Sequence, residues 1–195
     1  MIKEISLKRT VIIVAILNLA YFFVEFSVAN RISSVSLFAD SIDFLEDASV
    51  NILILLSFGW SVKTRIKLGY VFAILLLIPG ITVASVAWDK FQNPTTPESF
   101  TLGLTGLGAL LINVFCAFIL SRFRKSKESL TKAAYLSARN DAVANVAIIF
   151  ASVIGLFWRS GWPDLIVGIG ILLLNLDSAT EVLEASRREK TLSET

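Results

Sequence analysis

The amino-acid sequence predicts an all-α membrane protein, a six-transmembrane-helix bundle with both termini cytoplasmic. Three observations carry that prediction: six long apolar segments, a composition poor in charge, and a one-sided distribution of lysine and arginine. Of the 195 residues, 55% are hydrophobic and 17% charged, and the mean hydropathy is +0.72. An ordinary soluble domain carries about 25% charged residues. The deficit points to a surface that faces lipid.

The segments run, in order, over roughly 10–29, 35–60, 68–88, 100–120, 132–158 and 162–183. Each reaches the ~20 residues a helix needs to cross the hydrocarbon core. They are continuously apolar and do not alternate, which favours helices over strands, and helices satisfy their own backbone in lipid. The first follows a basic head, "MIKEISLKRT", with no small-residue cleavage site behind it, so it reads as a retained span and not a removed signal. The third contains Pro79-Gly80, which should kink or loosen it. The fourth carries Gly103, Gly106 and Gly108, and the sixth Gly168 and Gly170. These glycines suit close packing between helices of one protomer, with a dimer seam as the lesser alternative. Trp60, Trp88, Trp158 and Trp162 fall at span ends, where interfacial tryptophans sit.

Basic residues set the orientation. Fourteen lie in the N-terminal head, the second loop, the fourth loop and the tail, against three (Arg31, Lys90 and Arg159) on the other side. The positive-inside rule then places both termini in the cytoplasm. One transmembrane domain is expected over 1–190. The tail "EASRREKTLSET" is too short for a folded unit, so no C-terminal cytoplasmic domain is expected. The loop "RFRKSKESLTK" reads as a topology signal.

Composition also excludes. There is no histidine, which removes imidazole metal ligands and His-dependent catalysis. The lone Cys116 allows no internal disulfide. A net charge of +2 gives no strong field and no expectation of nucleic-acid binding. No catalytic signature accompanies the acids, so the chain is not expected to be an enzyme.

Those acids are the anomaly. "SLFADSIDFLEDASVN" sits in an otherwise oily span. Asp40, Asp43, Asp47 and Asn51 are three, four and four apart and share a helix face; Glu46 lies at its edge. An acid in a membrane costs at least ~2.5–3.5 kcal/mol and usually faces a bundle interior or an aqueous cavity. "YLSARNDAVANVAII" repeats the pattern in the fifth span. Ser137, Asp141 and Asn145 are four apart, Asn140 lies a residue's rotation away, and Arg139 snorkels toward the end. Two helices presenting carboxylate and neutral oxygens to each other suit a divalent cation. Asp43, Asp47 and Asp141 are the principal ligand candidates. Asp40 and Glu46 are either ligands or structural. Glu25 either lines the same cavity or reaches the interface, Asp177 has a weaker claim, and Asp164 in "GWPDL" reads as a cap at a helix start.

With those residues in view, the chain resembles the cation diffusion facilitators, or cation efflux family, across all six spans. "SLFADSIDFLEDASVNILILL" is similar to the family's second span, "LSARNDAVANVAIIFA" to its fifth and "GWPDLIVGIGILLLNLDSATEVL" to its sixth. The resemblance places the paired second-span ligands on Asp43 and Asp47 and the fifth-span Asp on Asp141. It implies a tetrahedral four-ligand site, a homodimer, and efflux of zinc or related dications (Mn, Fe, Co or Cd) by proton antiport. The fourth ligand position, commonly His or Asp, is Ser137 here, so Ser137, Asn140, Asn145 or water completes the set. The metal is then transported substrate, no cofactor is expected, and the partners are the dication, protons, lipid and a second copy of the chain. The protein is expected to be multi-pass in a bacterial-type plasma membrane. The alternative is a membrane subunit that holds metal without moving it, as partner to a longer paralogue.

Overall fold

The computed structural model describes residues 2–57, 81–123 and 129–174, with isolated positions at 59, 61, 64, 67 and 71. Among them are six α-helices and no strand: α1 Ile2–Ile32, α2 Val35–Ser57, α3 over 81–92, α4 Ser99–Leu120, α5 Ser129–Phe157 and α6 Trp162–Leu174. Helices α1, α2, α4 and α5 lie on the segments marked as the first, second, fourth and fifth spans, α1 running back through the basic head, while the third and sixth segments are described only in part. The first part of the third span, Pro79-Gly80, Trp60, Asp177 and the tail lie outside the described residues, as does 124–128 of the basic loop.

The helices are turned inside out relative to a soluble bundle. Ile16 and Phe23 on α1, Phe100, Leu104, Leu111 and Phe118 on α4, and Val143 and Phe150 on α5 are all exposed. In water that surface would aggregate; in lipid it is solvated. Leu7–Ile32, Ser99–Phe123 and Ala134–Phe157 are each long and apolar enough to cross a membrane unaided. The acids dilute α2, and its burial in the bundle offsets them.

Helix α1 packs chiefly on α2, and α4 on α5; α1 also meets α4, and α2 meets α5. Close approach between α4 and α5 depends on missing side chains. A Cβ on Gly106 would come within 2.9 Å of the Ile148 side chain, and one on Gly103 within 2.5 Å of Ser152. Gly168 of α6 lies against the α2 backbone, where a Cβ would meet Ser36 N at 2.7 Å. These glycines therefore serve packing within the protomer, while Gly170 faces open space.

The interior is layered. One apolar cluster, with Leu37, Phe38, Val83, Leu102 and Leu165, fills the end near the α1–α2 corner. A second, with Val11, Val14, Ile54, Cys116 and Leu120, fills the opposite end. Asn18, Glu25, Asp40, Asp43, Asp47, Asn51, Asn113 and Asn145 are buried as well. They supply the polar side of the same interior.

A polar latch closes the corner end. Helix α1 ends on Ser33, whose φ of 53° is left-handed, and Ser34 N returns to Ala29 O at 3.1 Å. This is a Schellman-type stop with serine where glycine is usual. Ser34 then caps α2, its Oγ accepting from Leu37 N at 3.2 Å. Asp164 of α6 binds the same α2 terminus. Its Oδ1 accepts from Ser34 Oγ and Ser36 Oγ, both at 2.6 Å, and its Oδ2 from Val35 N at 2.9 Å. Lys90 of α3 donates to Asp164 Oδ2 at 2.8 Å and to Ser33 O at 2.6 Å. Lys90 and Asp164 are 3% and 2% exposed. Asp164 is thus a cap, as its position suggested, but for α2 across the bundle instead of for its own helix.

Candidate metal centre

Helix α2 delivers the principal acids. Its stripe of Asp40, Asp43, Asp47 and Asn51 is buried along its length, while Glu46 at the edge is half-buried. The apolar residues between them, Ile42, Phe44 and Ala48, are buried too. Helix α2 is therefore surrounded by protein, which allows charge at membrane depth.

Helix α5 faces the stripe with Asp141 and Ser137, both half-buried. Asp141 confronts Asp43, Asp47 and Glu46 electrostatically. Ser137 lies within hydrogen-bond reach of both Asp47 and Asp141. A hydroxyl has one proton, so it cannot serve both carboxylates at once. Asp43 has carboxylates on several sides: Asp141, Asp40, Glu46 and Asp47. Among the described residues no three acidic or cysteine side chains converge into a formed metal cage. The arrangement is a gathering of like charges with a neutral oxygen between two of them.

Two helices that the spacing argument left aside complete the surroundings. Asn18 on α1 donates from Nδ2 to Asp47 Oδ2 at 3.3 Å and accepts from Cys116 Sγ at 3.8 Å. Asn113 on α4 donates to Asn145 Oδ1 at 3.0 Å. Both had a legible signal: a lone amide in an apolar span must find a polar partner. Asn51 turns its amide back to Asp47 O at 2.7 Å, a bond within its own helix.

The remaining candidates separate. Asn145 donates to Asp40 Oδ2, so these two pair with each other. Glu46 stays near Asp43 and Asp141. Asn140 is exposed and accepts from Arg139 at 3.2 Å, facing away from the carboxylates. Glu25 is fully buried and faces Asp40, so it does not reach the interface.

Carboxylates gathered between helices of a lipid-facing bundle mark an ion or substrate pathway in membrane proteins. The chain belongs to the cation efflux family: the model of the cation efflux transmembrane domain matches residues 11–189. It is an integral, multi-pass protein of the plasma membrane, and its family is one of transporters, not enzymes. It is 28% identical over 171 residues to the zinc transporter ZitB of Escherichia coli, covering 80% of this chain and 54% of that protein. It is 25% identical over 196 residues to the cadmium, cobalt and zinc/H(+)-K(+) antiporter of Bacillus subtilis, covering 92% and 62%. Against ZitB of Yersinia pestis the identity is 27% over 202 residues, covering 96% and 64%. The chain therefore spans between half and two thirds of the length of these relatives.

Proposed function

We propose that this chain carries a divalent metal cation out of the cytosol in exchange for protons. One observation carries the reading: Asp43 and Asp47 of α2 face Asp141 of α5, with Ser137 within reach of the last two. Three carboxylates that repel one another in a protein interior favour whatever cation neutralises them. Carboxylate and hydroxyl oxygens suit hard and borderline dications, and the absence of histidine makes the set less zinc-selective. Names of relatives mention zinc, cadmium and cobalt, which supports a substrate of that class. Without the metal, protons compete for the same oxygens, so efflux and proton uptake are opposed uses of one site.

The functional unit is a homodimer held through its membrane helices, with both termini cytoplasmic. Purified full chain in proteoliposomes tests the reading. Under an imposed pH gradient, Zn²⁺, Cd²⁺, Co²⁺ and Mn²⁺ are offered in turn. Movement of at least one, with counterflow of protons, is the expected result. Binding without movement would make the chain a metal-holding membrane subunit, and no binding would remove the site.

A further inference from the structure

The buried amides of the interior have different targets. Asn51 spends its Nδ2 on Asp47 O, one turn back in its own helix. Asn113 donates to Asn145 Oδ1, and Asn145 to Asp40 Oδ2. Asn18 of α1 reaches a principal ligand candidate instead: its Nδ2 donates to Asp47 Oδ2 at 3.3 Å, across the contact between α1 and α2. Asn18 is 0% exposed and Asp47 3%, so bulk solvent does not compete for that bond.

The amide is itself held. Cys116 of α4, also fully buried, donates from Sγ to Asn18 Oδ1 at 3.8 Å. The thiol otherwise belongs to the apolar cluster with Val11, Val14 and Ile54. A primary amide that turned over would present its oxygen to the carboxylate and repel it. The thiol on Oδ1 opposes that turn and keeps Nδ2 on Asp47. A chain of donors thus runs from α4 through α1 to α2 and ends on one carboxylate oxygen. An amide satisfied at both ends also serves as glue between helices. What sets Asn18 apart from glue is where its donor lands.

A carboxylate binds a metal through one oxygen or through both. With Oδ2 engaged by the amide, Asp47 has Oδ1 to offer, and chelation through both oxygens means giving up a buried hydrogen bond. Groups that hydrogen-bond a ligating carboxylate fix its orientation. Zn²⁺ is satisfied by four ligands, whereas Mn²⁺ favours six oxygens, for which a bidentate carboxylate supplies an extra one. We propose that Asn18, held by Cys116, is a specificity-determining positioning residue: it keeps Asp47 a one-oxygen ligand and so favours four-coordinate dications such as Zn²⁺ and Co²⁺ over Mn²⁺. The proposal rests on the metal reading above, since Asp47 must bind the ion for Asn18 to shape how it binds.

Two measurements on the purified full chain in detergent test it. Calorimetric titration compares Zn²⁺ with Mn²⁺ in wild type, N18L and C116A. N18L keeps the bulk and loses the donor: its Zn²⁺ Kd should rise about 10–100-fold and its Mn²⁺ Kd by less, so that the preference for zinc shrinks. C116A should shift the preference the same way by a smaller factor. Equal losses for both metals in N18L would make Asn18 merely structural and overturn the proposal, as would no change in either variant. The visible spectrum of wild type loaded with Co²⁺ needs no variant, so it decides the matter even where N18L does not fold. Four-coordinate Co²⁺ absorbs strongly in the visible and six-coordinate Co²⁺ weakly. Strong bands without a thiolate charge-transfer band are expected. Weak bands, or a charge-transfer band that makes Cys116 itself a ligand, overturn the proposal. A wild type that binds none of these ions fails the metal reading, whereas one that binds them alongside an unchanged N18L fails this proposal alone.

Discussion

A carboxylate inside a bilayer persists only if something answers its charge, and the candidate ligands differ in what they lose when changed. Asp43, Asp47 and Asp141 each supply an oxygen ligand and a negative charge. Asp43→Asn, Asp47→Asn and Asp141→Asn should each abolish metal movement in proteoliposomes while leaving the protein inserted. Ser137 supplies a neutral oxygen, so Ser137→Ala should weaken binding less than any of the three. Ser137→His should shift preference toward zinc, because imidazole is a better zinc ligand than a hydroxyl. Calorimetry on each variant with the four metals reads this out, and transport by Asp141→Asn at the wild-type rate would sink the two-helix site. Periodicity made Asp43, Asp47 and Asp141 legible, because three- and four-residue spacing is a statement about one helix face. It said nothing of rotation between helices. That is why Asn145, spaced well for the site, pairs with Asp40, and why Asn140 faces outward beside Arg139.

At the scale of elements, the helix ends carry the specific chemistry. Lys90 and Asp164 form a buried ion pair tying α3 and α6 to the start of α2. Removing one partner of such a pair typically costs about 3–5 kcal/mol, because a buried charge is left behind. Lys90→Met should therefore lower unfolding stability substantially, and adding Asp164→Asn should restore part of the loss. A double-mutant cycle by denaturant titration in mild detergent measures the coupling, and strictly additive losses would show that the latch is not a unit. The exposed Glu98 caps α4, its oxygens accepting from Phe100 N at 3.0 Å and Thr101 N at 2.7 Å. Hydrogen bonding from the Thr101 side chain first, and from these two backbone N–H groups, holds its carboxyl below the usual carboxylate range. The folded-state value being the lower one, its stabilisation is present above the ordinary Glu range and is lost as pH falls through the depressed value. Protection of the Phe100 and Thr101 amides, measured as exchange relative to the intrinsic rate at each pH, should fall on acidification into that range, and in Glu98→Gln it should lose this dependence. Helix positions were legible because apolar length is a strong signal. The latch was not, because Asp164 and Ser34 are 130 positions apart and no local pattern connects them.

For the whole molecule, sidedness and assembly follow from charge and from the lipid-facing surface. The described helices place the α1–α2 corner, Lys90 and the start of α6 at one end. The N-terminal end of α1, the end of α4 and the start of α5 come together at the other. Most lysines and arginines flank that second end, so it should be cytoplasmic and the latch should face outward. The chain offers a direct measurement, because Cys116 is its single cysteine and is buried. In a Cys116→Ala background, a cysteine placed at Ser160 should react with an impermeant maleimide added outside, and one placed at Ser193 only after the membrane is opened. The reverse pattern would invert the bundle and turn export into import for the same site. Exposed α1, α4 and α5 faces are apolar along their length. In lipid such faces gain no hydrophobic free energy by meeting, so a dimer must rest on packing and lipid entropy. The homodimer should therefore weaken as detergent dilutes it, more than a soluble interface would. Mass measurement in nanodiscs at one and two copies per disc decides it: paired copies that transport support the dimer, and a strict monomer with full transport excludes it.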